Sequence, residues 1–258
     1  MNLPATPLAI LIAVSVALHA GAIVASFLNR RAGWVGYTAA FAVAVVAVGW
    51  RWWQSGHVPL QVMFEIFLVL GALMFPLSLA CRWAWGIRSE RSDMLLAAVL
   101  LVPAAFVFPH EARRLPPALQ SVLLIPHVAA YLVAYVLMAK AAVQAEVVLV
   151  TRDPGRRREA SQAAYRLSLA GIVPMTLGLV LGAWWGKLAW GRFWNWDPKE
   201  MWSLATWLTF VGYFHLRALY PQGRQKAQAV LLLIGAGAIV FTLLGVSLLM
   251  EGLHSYAT

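Results

Sequence analysis

Residues 227–250 read AQAVLLLIGAGAIVFTLLGVSLLM and contain no charged side chain. A helix of this length and character can cross the hydrocarbon core of a bilayer, which takes about 20 mostly apolar residues. The rest of the sequence is similar, because 62% of its 258 residues are hydrophobic and only 12% are charged. This composition excludes a soluble domain, since almost no segment has enough polar side chains to form a surface that is in contact with water.

The other apolar stretches predict an all-α, polytopic transmembrane helix bundle with about eight spans. We place the spans at residues 7–28, 34–53, 62–85, 93–108, 122–150, 167–185, 201–219 and 227–250. The fourth is short and is interrupted by Pro103. The first lacks the basic start and the cleavage site of a signal peptide, so we expect it to stay in the mature protein. We find no internal repeat and treat residues 1–258 as a single integral membrane domain.

The distribution of basic residues predicts the orientation in the membrane. The net charge of +10 is scattered among short loops, which argues against a nucleic-acid partner. One set of alternate loops holds Arg30, Arg31, Arg82, Arg88, Arg91, Arg152, Arg156, Arg157, Arg158, Arg166, Arg217, Arg224 and Lys226. The other set, with both termini, holds only Arg51, Arg113, Arg114, Lys187, Arg192 and Lys199. The positive-inside rule makes the richer set cytoplasmic and places both termini and loops 54–61, 109–121 and 186–200 outside. The run from Arg156 to Arg158 is then a topology anchor.

The chain has one cysteine, Cys81, near the cytoplasmic end of the third predicted span. A CxxC motif is absent from the sequence. The chain therefore cannot itself carry out dithiol chemistry.

Tryptophans are concentrated in residues 182–202, which read GAWWGKLAWGRFWNWDPKEMW and hold six of the thirteen in the chain. An interfacial aromatic belt explains one or two tryptophans, but not this density. We predict an external loop with an indole-rich shelf formed by Trp184, Trp185, Trp190, Trp194, Trp196, Asp197 and Trp202. Its flat apolar faces suit a large planar ligand such as heme b, whose carboxylates would meet the cations Lys187, Arg192 and Lys199.

Two histidines are predicted at one membrane depth beside this shelf. His127 lies just inside the outer end of the fifth span, and His254 lies just beyond the last span on the same side. Two neutral imidazoles in such places can coordinate an iron from opposite faces of a porphyrin. The alternative for each is a hydrogen-bonded core histidine.

Two local patterns predict structural roles and not catalytic ones. Asp197-Pro198 is typical of a helix N-cap followed by proline at the first helical position, so we expect a cap there and not an acid–base group. The Ser55-Gly56-His57 sequence with Pro59 predicts a turn that positions Arg51 and Glu65. We interpret His110, in a polar loop, as solvated.

The sequence WGRFWNWDPKEMW resembles the WWD signature of heme-handling proteins, and its WDPKExW form is similar to the CcsA/ResC family of cytochrome c biogenesis. Further family elements are matched in order by RWWQSGHVPLQVMFE at 51–65, LQSVLLIPHVAAYLVAY at 119–135, FHLR at 214–217 and GLHSYA at 252–257. The heme exporter CcmC and the CcmF family carry related loops with different residues after the aspartate. Gln61 and Met63 depart from the family's usual Asn and Tyr.

The resemblance implies which histidines bind heme. His127 and His254 match the family's external heme ligands. His215 matches a transmembrane histidine of an inner heme site, whose second ligand comes from the partner protein CcsB/ResB. His215 is roughly 20 Å from the shelf at 1.5 Å per residue. His19, in the middle of the first span, is the alternative second ligand within the chain.

The resemblance also implies a function: heme moves to the outer membrane face and is attached through thioether bonds to the CxxCH segment of an apocytochrome c. The expected location is the inner (plasma) membrane, or the thylakoid membrane if the chain comes from a plastid. Two other functions stay open from the sequence. One is a heme exporter or chaperone that performs no ligation, and the other is a HemX-like regulator of heme biosynthesis.

Overall fold

The computed structural model describes residues 6–110 and 116–254, and every regular element in these ranges is helical. The predicted all-α class is confirmed. The chain, treated above as one domain, divides into two compact units, Met1–Leu115 and Pro116–Thr258. Arg113 and Arg114 of the 109–121 loop, and residues 255–257 of the terminal motif, lie outside the described residues.

The first unit consists of four helices: α1 Pro7–Leu28, α2 Arg30–Ser55, α3 Met63–Trp85 and α4 Glu90–Phe106. The side chain of Thr6 caps α1, and that of Asn29 caps α2. Helix α1 packs on α2 and α4, and α3 packs on α4 and α2. The α1–α2 contact is tight because a Cβ on Gly33 would lie 2.6 Å from Cβ of Ser26. Small residues at such contacts let helix backbones approach closely in a membrane.

The turn predicted at residues 55–57 is present at one end of this unit. Helix α2 ends at Gly56, whose φ of 69° is left-handed, and Nε of Arg51 lies 2.8 Å from Oε1 of Glu65. Both side chains are buried and form an ion pair. Arg51 was counted above among the charges of the external loops, but it lies within helix α2. The prediction for His110 is wrong, since its ring packs on Phe64 and its Nε2 lies 2.8 Å from the Ala104 carbonyl oxygen.

The second unit begins with a 3-10 turn and contains five helices. Its elements are Pro117–Leu119, α5 Leu124–Val150, α6 Pro154–Trp190, α7 Pro198–Leu219, α8 Gln225–Val240, a π turn Phe241–Gly245 and α9 Val246–Leu249. Helix α5 packs on α6 and α8, while α7 packs on α8 and contacts α6. The span predicted at 227–250 therefore contains a π turn between α8 and α9.

Helix α6 corrects two predictions about residues between the spans. It has 37 residues and begins at Pro154 behind the N-cap Asp153, so the run from Arg156 to Arg158 is helical and not part of a loop. At its other end it continues to Trp190 and stops at Gly191, whose φ is 82°. The predicted loop at 182–202 thus shrinks to residues 191–197. Arginine is a good helix former, and its charge obscured the helix in the hydropathy pattern.

The chain is a multi-pass membrane protein. Within residues 6–110 and 116–254, six helical segments are long and apolar enough to cross a membrane: Pro7–Leu28, Arg30–Ser55, Met63–Trp85, Leu124–Val150, Pro154–Trp190 and Gln225–Leu249. Helix α4, with 17 residues and Pro103 inside it, falls short in length. Helix α7 is not among the six, so eight crossings and the external location of both termini stay predictions. Many large apolar side chains point outward, among them Val24, Phe27 and Leu28, as a lipid-facing surface requires.

Candidate functional site

Two histidines from distant parts of the second unit pack against one indole. The His127 ring stacks on Trp185 with 5.8 Å between centroids and 21° between planes. The His254 ring lies 5.6 Å from the same indole, at 57°. His127 comes from the first turn of α5, Trp185 from the last turns of α6, and His254 from the segment after α9. The fold therefore brings together the pair of histidines that the sequence singled out.

His127 is held by the backbone of α6. Its Nδ1 lies 2.8 Å from the Gly178 carbonyl oxygen, which can only accept, so Nδ1 carries the proton and donates. One turn further along, a Cβ on Gly182 would lie 2.5 Å from Cε1 of the ring. Only glycine at position 182 lets this imidazole lie flat against the helix. Any bond from His127 to iron has to be made through Nε2.

His254 is held by a carboxylate. Its Nδ1 lies 2.7 Å from Oδ2 of Asp197, and its ring packs edge-on against Trp190 at 4.7 Å. Gly252 fits closely here, since a Cβ would come within 2.4 Å of Oδ1 of Asp197. A carboxylate that accepts from Nδ1 fixes the tautomer and makes the opposite nitrogen a better metal ligand. This role of Asp197 was not predicted from the sequence, which indicated only a helix cap.

Asp197 is both the predicted helix cap and the support of His254. The cap is confirmed: Oδ2 accepts from the Lys199 N–H at 3.1 Å, and the Glu200 side chain completes a capping box. Oδ1 accepts from the Leu253 N–H at 2.6 Å. Burial alone would raise the pKa of Asp197, but the hydrogen bond and charge of His254, with the two backbone N–H groups, hold that pKa below its ordinary value.

The turn before Asp197 is fixed by strain and by hydrogen bonds. Trp196 has a φ of 57°, a left-handed conformation that is uncommon for a bulky residue. Oε2 of Glu200 accepts from the N–H groups of Asn195 at 2.7 Å and Asp197 at 3.3 Å. Such strain persists where surrounding contacts impose it and is concentrated at functional sites. Here it turns the Asp197 carboxylate toward the chain's C-terminal segment.

The tryptophans of the predicted shelf have different positions. Trp185 is only 2% exposed, and its Nε1 donates to the Ala118 carbonyl at 3.0 Å. It is therefore a core residue, and the two imidazoles pack against its ring. Trp190 touches both Trp185 and His254. Trp202 packs on Phe241 in the π turn. The other three lie outside this contact group: Trp184 and Trp196 are exposed, and Trp194 packs edge-on to Trp196.

The three cations of residues 182–202 also have different surroundings. Nζ of Lys187 donates to the Gly191 carbonyl at 2.8 Å and lies over the Phe193 ring, an exposed arrangement that caps the end of α6. Arg192 is exposed in the turn. Nζ of Lys199 instead donates to Oγ of Ser247, 2.9 Å away in α9.

The remaining histidines have other partners. His215 is exposed on α7, and its Nδ1 donates to the Val211 carbonyl at 2.9 Å. In the first unit, His19 is 1% exposed, with Nδ1 against the Ser15 carbonyl and its ring edge-on to Tyr37. His57 lies in the Gly56 turn, where its Nδ1 contacts the Val58 carbonyl oxygen.

Comparison with known proteins identifies relatives along most of the chain. The family model described as cytochrome C assembly protein matches residues 34–254. The cytochrome c biogenesis protein CcsA of Synechococcus sp. (strain CC9605) is 32% identical over 247 residues, with 80% of each chain covered. CcsA of Chlamydomonas reinhardtii is 32% identical over 222 residues, which cover 80% of this chain and 63% of that protein.

Comparison with solved structures shows a similar fold. The cytochrome c heme lyase CcmF aligns with a TM-score of 0.70 at 18% identity, covering 100% of this chain and 49% of CcmF. The chain thus spans about half the length of CcmF.

Proposed function

Because the chain belongs to the cytochrome c assembly family and acts in cytochrome c biogenesis with heme handling, we propose that His127 and His254 bind heme b from opposite faces at the outer side of the membrane. The observation that carries this proposal is the convergence of the two imidazoles on Trp185. Each has its Nδ1 directed to an acceptor, so each presents Nε2 to iron. Imidazole nitrogen is a standard axial ligand of heme iron.

The proposed reaction joins heme to an apocytochrome c that carries a CxxCH segment. Each thiol adds across one heme vinyl group: sulfur bonds to one vinyl carbon and hydrogen to the other, with no net oxidation. The thiols and an incoming histidine arrive with the apocytochrome, which displaces one of the two histidines from iron. This chain contributes orientation, since it holds the porphyrin where the vinyl groups meet the thiols. We place this site outside and both termini outside, on the distribution of Lys and Arg.

The proposed route starts at His215. This side chain is exposed on α7, with Nδ1 bonded within its own helix, so a second iron ligand can approach it from outside the unit. We assign that ligand to a CcsB/ResB-type membrane partner. His19 is a poorer choice, because it is buried against Tyr37 and would have to leave that contact. Helix α7 is a span by the sequence prediction alone, and on that prediction His215 is an ionisable residue at membrane depth, where such residues are functional candidates by default.

The experiment that tests this function is reconstitution of ligation. The chain is coexpressed with its CcsB/ResB-type partner and an apocytochrome c in a host without its own assembly system, and covalent heme is stained on denaturing gels. The same apocytochrome with SxxSH in place of CxxCH is the control. We expect covalent heme on CxxCH alone. Heme bound to the chain without covalent transfer would favour an exporter, and no heme at all would favour a regulator.

Gly182→Ala is expected to weaken external heme binding. Its Cβ would overlap the His127 ring, and overpacking of this kind costs about 1–3 kcal/mol, or about fivefold to a hundredfold in affinity. Titration of the purified protein with hemin measures the loss. Gly212→Ala is the matched control, because a Cβ there meets nothing within 4 Å. Equal affinities for the two variants would contradict the assigned position of His127.

His215→Ala is expected to lower the heme that copurifies from cells while sparing the external site. Loss of the proposed inner ligand interrupts supply, but hemin added to the detergent-solubilised protein still reaches His127 and His254. Leu208→Ala, at another exposed position of α7, is the control and retains both signals. If His215→Ala also abolished binding of added hemin, the separation into two sites would be wrong.

A further inference from the structure

The Lys199 side chain reaches from the first turn of α7 to α9. Its Nζ donates to Oγ of Ser247 at 2.9 Å. An ammonium group has three donors, and Ser247 is the one partner of Nζ among the residues that the structure describes. The other two N–H donors are available to a ligand.

This ammonium also lacks a countercharge in contact with it. No ion pair within residues 6–110 and 116–254 includes Lys199. Asp197 lies nearby, but its oxygens accept from the backbone of Lys199 and Leu253 and from the His254 ring. Lys199 is half-buried, and cations held partly out of water are normally paired or bind a charged ligand.

The position of Lys199 ties it to the histidine pair. Its backbone N–H donates to Oδ2 of Asp197, the same carboxylate oxygen that Nδ1 of His254 contacts. Lys187 has no such position, because its Nζ bonds to Gly191 at the exposed end of α6. Among the described residues, Lys199 is the one of the three cations in the tryptophan-rich segment that is bonded to the carboxylate supporting His254.

The π turn determines which residue the Lys199 side chain contacts. Ser247 lies two residues after Phe241–Gly245, where the helix widens. The turn is pinned to α7 by Trp202 on Phe241 and by Thr206 Oγ1, 3.3 Å from Thr242 Oγ1. These contacts hold the segment that carries Ser247 against α7, where its hydroxyl accepts from Nζ of Lys199. Single π turns frequently occur at functional sites.

We propose that Lys199, held by Ser247, is the carboxylate subsite of the external heme site and takes one heme propionate. This inference rests on the proposed function. The propionates and the vinyl groups of heme b lie on opposite edges of the porphyrin. A propionate anchored on Lys199 therefore turns the vinyl edge away from α7, and Lys199 selects one of the orientations in which the macrocycle can enter between the histidines.

The test compares heme with iron protoporphyrin IX dimethyl ester, whose carboxylates are blocked. Both are titrated into the purified full-length protein in detergent, as wild type and as Lys199→Gln, Lys199→Arg and Lys226→Gln. We expect Lys199→Gln to bind heme about tenfold to a hundredfold more weakly, the range of a hydrogen bond to a charged group, and to bind the ester as the wild type does. Lys199→Arg, which keeps a cation, restores most of the preference for heme. Lys226→Gln, at an exposed site on α8, changes neither affinity.

Two results would overturn the subsite. The first is an equal loss of both porphyrins in Lys199→Gln, which would make Lys199 a structural residue. The second is a preference for heme that disappears in Lys187→Gln but survives in Lys199→Gln. Failure of the wild type to bind either porphyrin would instead refute the proposed function, so the two failures are distinguishable.

Discussion

Replacing His127 or His254 by alanine is expected to remove heme from the external site and to abolish holocytochrome formation, while the protein still inserts and folds. Each change deletes one of two iron ligands. Loss of a residue that merely supports a metal ligand lowers affinity about tenfold to a hundredfold, and loss of the ligand itself exceeds that range. Hemin titration of each purified variant, followed by optical spectroscopy, measures the change.

His57→Ala is the matched control for the ligand variants. His57 lies in the turn after α2, where its ring contacts a backbone carbonyl of the next residue, and we expect its loss to leave the heme spectrum unchanged. A second control restores the ligand chemically: imidazole added to His254→Gly is expected to recover the low-spin spectrum. Normal cytochrome yield in both alanine variants would refute the proposed ligands.

Glu65→Leu is expected to destabilise the first unit by about 3–5 kcal/mol, the cost of breaking a buried ion pair. The variant would leave the Arg51 guanidinium, whose side chain is 3% exposed, without its carboxylate. Glu65 also accepts from the N–H groups of Gln61 and Val62 at the start of α3, so its loss weakens that helix end as well. Thermal unfolding in detergent, followed by tryptophan fluorescence, measures the effect.

The double variant Arg51→Met/Glu65→Leu separates the ion pair from simple loss of packing. Removing both charges avoids an uncompensated buried cation, so we expect the double variant to recover most of the stability lost in Glu65→Leu. The recovery is incomplete, because the His110 carbonyl loses the hydrogen bond from Arg51. A double variant less stable than Glu65→Leu would contradict the role given to the pair.

The helices were predictable where apolar residues run between clear caps. Helix α1 matches the prediction at both ends, because Thr6 and Pro7 mark its start and the chain turns polar after Leu28. Helix α6 was predicted too short at both ends, since arginines within a helix resemble loop residues in a hydropathy pattern. The π turn after Val240 was not predictable, because it depends on contacts with α7 and leaves no mark in the apolar run.

The candidate site was predictable in its residues and not in its contacts. His127 and His254 were singled out by their motif positions, and the tryptophan-rich segment supplies Trp185 and Trp190, which pack against one or both of them. The support of His254 by Asp197 joins residues 57 positions apart in the chain, and only the folded unit shows it. The left-handed Trp196 likewise has no signal in sequence, since bulky residues rarely adopt that conformation.

The central claim is that one heme is held between His127 and His254. Its most direct test is the absorption spectrum of the detergent-purified wild-type protein, oxidised and reduced, after coexpression with its partner, beside the His127→Ala/His254→Ala double variant. We predict the spectrum of a six-coordinate, bis-histidine heme in the wild type and its loss or marked weakening in the double variant. The same spectrum in both proteins, or no heme in the wild type, would contradict the claim.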